Sequence, residues 1–505
     1  GMFTTPDSIE FPDLLSRGVY ASYPPGAVLP IYTISMITRL EPSVAMINGY
    51  NLLNHFLIAF LLALTVFFFL LQLRCGYLIA FFLALIPVLL ELLMPATLYW
   101  HQNVFFVDVA AILPFVSFVF LEVIRGSVKS KKARYSVNIL QALVLFYGIM
   151  TDWLFIFIAL VVYATRILNK EMGTDLISFA KRSVIYWLPA AAALSLFAIQ
   201  LFLVRGWGQI YDKFLFRSGL GEGGVEHAQS FFDAFWKGHV AEGYGYVAVF
   251  LIWGSLLIFV FALAYTAYRH LRKRNVCLKE KKVTSLIAII LIPCILQVYI
   301  FNNHSAIHSF STLKFSIVLA TVPFVLIPLW FYFAFRERIE RFFNRNEENG
   351  AVMQGKGKRL LLLAVLCLLF LATFFVAYQS PRFLDLFPYS AGYDDARFIG
   401  NNTQYEDVVF SPYYEIPAIP PQSLALSMKR VYMFSSLEEI SRVVRDIDGD
   451  YNVNVFIVEG FQDDYDADIL HLIQSAGEVR KDGEFLLYVI DKDDFLEAYE
   501  SSVSV

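Results

Sequence analysis

Charge is scarce in this chain. Only 17% of its 505 residues are Asp, Glu, Lys or Arg. A soluble domain carries more charge than that, so a wholly soluble protein is excluded. Cysteine is scarcer still, with Cys75, Cys277, Cys294 and Cys367 the only examples. Two lie in basic loops and two in apolar runs, which supplies neither a disulfide framework nor a zinc pattern. No dinucleotide or Walker fingerprint occurs, and no internal repeat. The N-terminus is polar, so no cleavable signal peptide is visible.

What is present is apolar surface. Hydrophobic residues make up 58% of the chain and aromatics 17%, Phe foremost. They are concentrated before about Ala377, and the remainder reads as soluble. A membrane-crossing helix needs roughly 20 mostly apolar residues, and about ten stretches qualify. They fall near 48–71, 77–95, 104–124, 136–151, 153–168, 183–204, 246–268, 284–301, 313–334 and 359–378. The two flanking Asp152 are short, hence tilted or partly re-entrant.

The stretches 125–134, 268–282 and 335–359 are rich in Lys and Arg. If the spans alternate, all three share one side, and the positive-inside rule makes it cytoplasmic. Basic runs in short loops between spans are poor candidates for nucleic-acid binding. Residues 1–47, 96–103, 205–245 and 302–312 then face outward with everything after 379. The expected domains are an outer loop with amphipathic segments (1–47), a membrane domain (48–378) and an extracytoplasmic domain (379–505).

In that last domain KRVYMFSS, VNVFIVEG and EFLLYVID read as strands, and SLEEISRVVRDI and DADILHLIQSAG as amphipathic helices. Ser436 caps the first helix with Glu439 as its capping-box partner. The alternation predicts a small α/β layer domain. Its net charge is roughly −15, which fits a solvated acidic surface. The run DDYDAD lacks the Gly turn and terminal Glu of a calcium loop.

Ionisable residues near hydrocarbon are costly and are functional candidates by default. Here they fall at the outer ends of spans. One group is Tyr99-Trp100-His101-Gln102-Asn103 with Asp108 just inside the next span. Another is Thr151-Asp152-Trp153, where Asp152 is foremost an N-cap for the following helix. A third is NNHSAIHSFSTLK, residues 302–314. His304 and His308 share a face if helical, and together with Lys314 offer donors and positive charge to a phosphate. The same spacing suits a metal, but no third ligand is evident and no HExxH occurs, so no metal site is assigned. An interfacial structural role is the remaining reading. The outer loop 205–245 mixes Arg205, Lys213 and Arg217 with Trp207, Tyr211 and Trp236, which suits sugar and phosphate contact or a loop lying on headgroups.

The stretch from Asp7 to Tyr32 is acidic and Pro-bent, with Asp7, Glu10 and Asp13 ahead of Tyr23-Pro24-Pro25-Gly26. It resembles the first outer loop of the GT-C superfamily of integral-membrane glycosyltransferases. The branch in question holds protein O-mannosyltransferases and the lipid A aminoarabinose transferase. Asp7, Leu14-Leu15, Gly18 and Tyr23-Pro24-Pro25 stand in that loop's places. The resemblance implies a GT-C-like polytopic helical fold and sugar transfer from a polyprenyl-phosphate donor to a lipid, glycan or protein acceptor outside the plasma membrane. It implies Asp7 as the catalytic base, with Glu10 and Asp13 as its rivals. Asp108 becomes a second acid in the cavity. Tyr23, His101, His304, His308 and Lys314 become substrate and phosphate contacts. No cofactor is specified, and a divalent cation stays open. The resemblance also implies a first helix ahead of this loop, which this sequence is expected to lack through truncation or a misplaced start. The competing classes are a membrane transporter and a catalytically inactive scaffold of the same fold.

Overall fold

The computed structural model describes residues 25–40, 44–103, 107–173, 175–204, 207–220, 230–272, 278–344, 353–386, 392–404, 406–412, 430–434, 436–459, 467–483 and 485–503. The chain divides into two compact units, one containing Ile47–Phe387 with Tyr23–Ile37, the other containing Pro388–Val505.

The first unit is helical. A short 3-10 turn, Pro25–Ala27, leads into α1 (Leu29–Thr38), α2 (Val44–Gln72), α3 (Tyr77–Leu93), α4 (Pro95–Asn103), α5 (Val107–Ser127), α6 (Lys131–Ile149), α7 (Leu154–Leu168), α8 (Leu176–Val204) and α9 (Trp207–Arg217). A π-helical stretch, Phe232–Val240, precedes α10 (Ala241–Tyr244), α11 (Tyr246–Leu271), α12 (Leu278–Ile300) and α13 (Asn302–Ile307). A 3-10 turn at Ser309–Thr312, α14 (Lys314–Thr321), a π turn at Val322–Leu326 and α15 (Ile327–Asn344) form one span, and α16 (Met353–Leu386) follows.

In its described residues each of the ten apolar stretches is mainly helical, but fewer pass as full spans. Among the described residues six helices are long and apolar enough to cross a membrane, or seven if α3 and α4 count as one. The shortfall has local causes. Helix α6 opens with Lys131, Lys132 and Arg134, α7 has 15 residues, and the apolar described part of α16 is Leu363–Gln379. Helices α3 and α4 meet at 61°. Met94 sits extended there, at φ −67° and ψ 126°, because Pro95 disfavours a helical predecessor.

Lipid-facing surface is plain on the outside of this unit. Helix α2 exposes Leu52, Leu53, Phe56 and Phe60, and α8 exposes Val184, Ile185, Leu188 and Ile199. Such continuous apolar faces are stable only against hydrocarbon or another protein. The chain is thus a polytopic helical membrane protein with a C-terminal α/β domain. At the far end of α5 and α7, Glu122 binds Arg125 at 2.7 Å, Gln141 at 2.8 Å and Arg166, tying three helices together.

The second unit holds α17 (Gly392–Asn402), β1 (Val408–Pro412), β2 (Arg430–Phe434), α18 (Leu437–Asp446), β3 (Asn452–Val458), α19 (Ala467–Ala476), β4 (Glu478–Asp482), β5 (Phe485–Asp491) and α20 (Lys492–Val503). The sheet order is β2-β1-β3-β5-β4. Strand β1 runs parallel to β2 and β3, while β5 runs antiparallel to β3 and β4. One face packs Val453, Val455 and Ile457 with Ile440, Val444, Ile473 and Phe495. The other packs Phe456, Val458 and Leu487 with Phe398 and Ile399. Ser436 caps α18 as expected, its hydroxyl accepting from Glu439 N–H at 3.3 Å. Strands β1 and β4 and helices α17 and α20 were not read from the sequence.

Candidate functional site

The start of α5, the α6–α7 corner and the start of α14 lie at one end of the bundle. Each carries an ionisable side chain. Asp108 is one residue into α5, Asp152 lies just before α7, and Lys314 opens α14. All three are buried. Lys314 Nζ lies 3.2 Å from Asp108 Oδ1. Asp152 feels both the Asp108 carboxylate and the Lys314 ammonium. Asp152 Oδ1 accepts from Leu154 N–H at 2.6 Å and from Gln297 Nε2 on α12 at 2.7 Å. The first of these satisfies a helix-start N–H, as a capping Asp does.

Capping uses only part of these groups. Asp108 Oδ2, Asp152 Oδ2 and Gln297 Oε1 are buried without a hydrogen-bond partner, and so is Ser311 Oγ on the neighbouring 3-10 turn. Native interiors hold few such orphans, and each calls for an explanation. Two carboxylates and one ammonium leave an excess of negative charge. This cluster can therefore take up a proton or a cationic or hydrogen-bonding group.

The first described residues of the chain reach this corner. Gly26 N–H donates to Met150 O at 2.6 Å, and Tyr147 Oη donates to Gly26 O at 3.0 Å. A Cβ on residue 26 would stand 2.2 Å from Met150 O and 2.5 Å from Thr151 Oγ1. Only glycine fits there, against Met150 and Thr151, the two residues before Asp152. Beneath lies a cavity of about 160 Å³, lined by Tyr50, Ala110, Leu113, Pro114, Ser117, Val144 and Tyr147.

The 302–312 segment packs nearby. His304 and His308 ring centroids are 4.5 Å apart, and His308 stacks on Phe310 at 4.9 Å. Phe310 meets Trp100 of α4 edge-on at 6.2 Å. The segment is anchored from below, since His239 Nε2 donates to Ala306 O at 2.8 Å and Asn303 Nδ2 to Phe216 O at 2.7 Å. Asn303, which begins a glycosylation-type tripeptide, is wholly buried and cannot accept a glycan in this fold.

Of the residues singled out from the sequence, Asp108 and Lys314 come together. His101 goes elsewhere, onto Glu91 and His55 inside the bundle. Asp7, Glu10, Asp13 and Tyr23 lie outside the described residues. Sequence reasoning missed Glu91, His55 and Gln297. The rule that flagged Asp108 applies equally to Glu91 in the run IPVLLELL and to His55 in α2.

No protein-family model matches the chain, and no curated protein sequence does. Among solved structures it is similar to the Archaeoglobus fulgidus oligosaccharyltransferase in complex with Zn and sulfate, at 12% identity and a TM-score of 0.45, over 87% of this chain and 60% of that one. A. fulgidus AglB in complex with an inhibitory peptide and a dolichol-phosphate aligns at 10% identity, TM-score 0.43, over 87% and 62%. ArnT from Cupriavidus metallidurans in the apo state aligns at 11% identity, TM-score 0.40, over 95% and 89%. The chain spans about three-fifths of the length of the archaeal structures.

Proposed function

We propose that the chain is a GT-C-type membrane glycosyltransferase that moves a sugar from a polyprenyl-phosphate donor to an acceptor hydroxyl on the outer face of the membrane. The carrying observation is the buried Asp108–Lys314 pair, 3.2 Å apart and beside Asp152. The Tyr23-Pro24-Pro25 resemblance supports the same reading, because Gly26, the next residue, is clamped at that corner.

In this reaction the acceptor oxygen attacks the anomeric carbon. The bond from that carbon to the phosphate oxygen breaks, and its electrons leave on the lipid phosphate. The acceptor proton passes to a carboxylate, for which Asp7 is our choice, with Glu10 and Asp13 as alternatives. Growing charge on the phosphate is met by Lys314, with His304 and His308 as further donors. Lys314 is held by Asp108 in this structure. Phosphate oxygens would compete for its ammonium, and Asp108 would return the ammonium to its resting place afterwards. On this reading the C-terminal domain belongs to the outer side, as the Lys/Arg bias of the loops suggests.

The test is sugar transfer from a polyprenyl-phosphate donor in nanodiscs. Asp7→Asn should abolish turnover and leave donor binding largely intact. Lys314→Ala should weaken donor binding as well, since it removes a charge that serves ground and transition states alike. If Asp7→Asn, Glu10→Gln and Asp13→Asn all keep near-wild-type turnover, the loop is not catalytic and a transporter or inactive scaffold takes its place.

A further inference from the structure

Away from the Asp108 cluster, three helices bring His55, Glu91 and His101 together. Their donor atoms all lie within 4.8 Å of one another, and all three residues are buried, none more than 1% exposed. The sharp bend at Met94 makes this possible. Along a straight helix about ten residues would carry His101 some 15 Å past Glu91. The 61° turn into α4 folds it back, so that His101 Nε2 stands 3.8 Å from Glu91 Oε1.

That spacing is too long for a hydrogen bond. Both oxygens of Glu91 and both ring nitrogens of His101 are buried without a partner. A carboxylate stripped of water with nothing bonded to it is among the costliest groups a protein interior can hold. One nitrogen of His55 is already held by a backbone carbonyl. Its Nε2 lies 2.8 Å from Glu91 O, and a carbonyl can only accept, so Nε2 carries the proton. Nδ1 is left with the lone pair. A backbone carbonyl fixing the far nitrogen of an imidazole is the usual outer support of a metal-ligating histidine.

We propose that His55, Glu91 and His101 bind one divalent transition-metal ion, with zinc the first choice. Two imidazole nitrogens and one carboxylate oxygen form a zinc donor set with a fourth position open. Metal bonds of about 2.0–2.2 Å place tetrahedral donors roughly 3.4 Å apart, so the 3.8 Å pair needs only a small contraction. The two rings are stacked at 4.5 Å and 10°, and they must splay for both lone pairs to meet one ion. Ion binding would satisfy the buried carboxylate and join α2, α3 and α4 at the bend. Helix α14 separates this site from the Asp108 pair: Lys314 faces Asp108, while Ser316, two residues on, lies beside Glu91 without a hydrogen bond to it.

The experiment loads the full chain in detergent with zinc sulfate, passes it over a chelating resin and measures retained metal by mass spectrometry. About one zinc per chain is expected. Glu91→Gln and His101→Ala should each cut retention at least tenfold, whereas His304→Ala/His308→Ala should retain it. X-ray absorption on the loaded wild type should show two imidazoles and an oxygen donor without sulfur, a readout that needs no variant to fold. Retention of iron or manganese through the same three residues supports the site and changes the ion. A wild type that holds no metal, a Glu91→Gln/His101→Ala double variant that keeps it, or an absorption spectrum without imidazole overturns the proposal.

Discussion

Lys314 Nζ and Asp108 Oδ1 face each other at 3.2 Å between α14 and α5, with both side chains all but sealed from solvent. Such a pair is costly to assemble and costlier to break, because each charge depends on the other.

Removing one partner should therefore hurt more than removing both. Asp108→Asn and Lys314→Met should each lower stability by about 3–5 kcal/mol, and the double variant by clearly less than their sum. Thermal unfolding of the four proteins in one detergent measures this. Additive losses would mean the two groups do not depend on each other.

Asp152 acts through its Oδ1, which takes the Leu154 N–H and the Gln297 amide. Asp152→Ala strands both donors and should cost about 1–3 kcal/mol. Asp152→Asn can keep those acceptor contacts and should be nearly as stable as wild type. If Asn is as damaging as Ala to the unfolding midpoint, the charge rather than the hydrogen bonds holds the corner.

Gly26→Ala should be destabilising, by roughly 1–3 kcal/mol, since its new methyl meets a backbone carbonyl rather than a side chain that can turn away. Under the proposed function the same change should slow transfer by shifting the first loop. Gly49→Ala is the control, because a Cβ there meets nothing within 4 Å. Equal behaviour of the two variants would remove the clamp from the account.

The Lys/Arg bias predicts that residue 450 and residue 275 lie on opposite sides of the membrane. In a cysteine-free background, Asp450→Cys should react with an impermeant maleimide on intact cells and Asn275→Cys only after lysis. Labelling of both from outside, or of neither, contradicts the proposed orientation.

The positions of the helices were legible because long apolar runs have few other ways to fold. The C-terminal strands Arg430–Phe434 and Asn452–Val458 were legible from their β-branched and aromatic content. Strand Glu478–Asp482 was not, since EVRKD is an exposed edge strand whose composition reflects water rather than a core. Asp108 and Lys314 were conspicuous one at a time, but nothing local says that they meet. That pairing comes from how α5 and α14 pack, far apart in sequence. Nor does anything local say that His101 meets Glu91 and His55. The break at Pro95 was not read from the sequence, which showed 77–95 as one apolar stretch, and the direction of the bend depends on what α4 packs against.

The π turn at Val322–Leu326 sets the phase of the span that contains Lys314. An α-helix advances about 100° per residue, and a π turn accommodates one residue more than an α turn does. The half of the span before the turn and the half after it thus present faces offset by that angle. Trp330 and Phe333 seat the later half in the core, while the earlier half aims Lys314 at Asp108. Deleting a single residue within 322–326 would take the extra residue out of the turn. Lys314 would then swing about a quarter-turn around the helix axis, with every side chain of the site still present in the sequence.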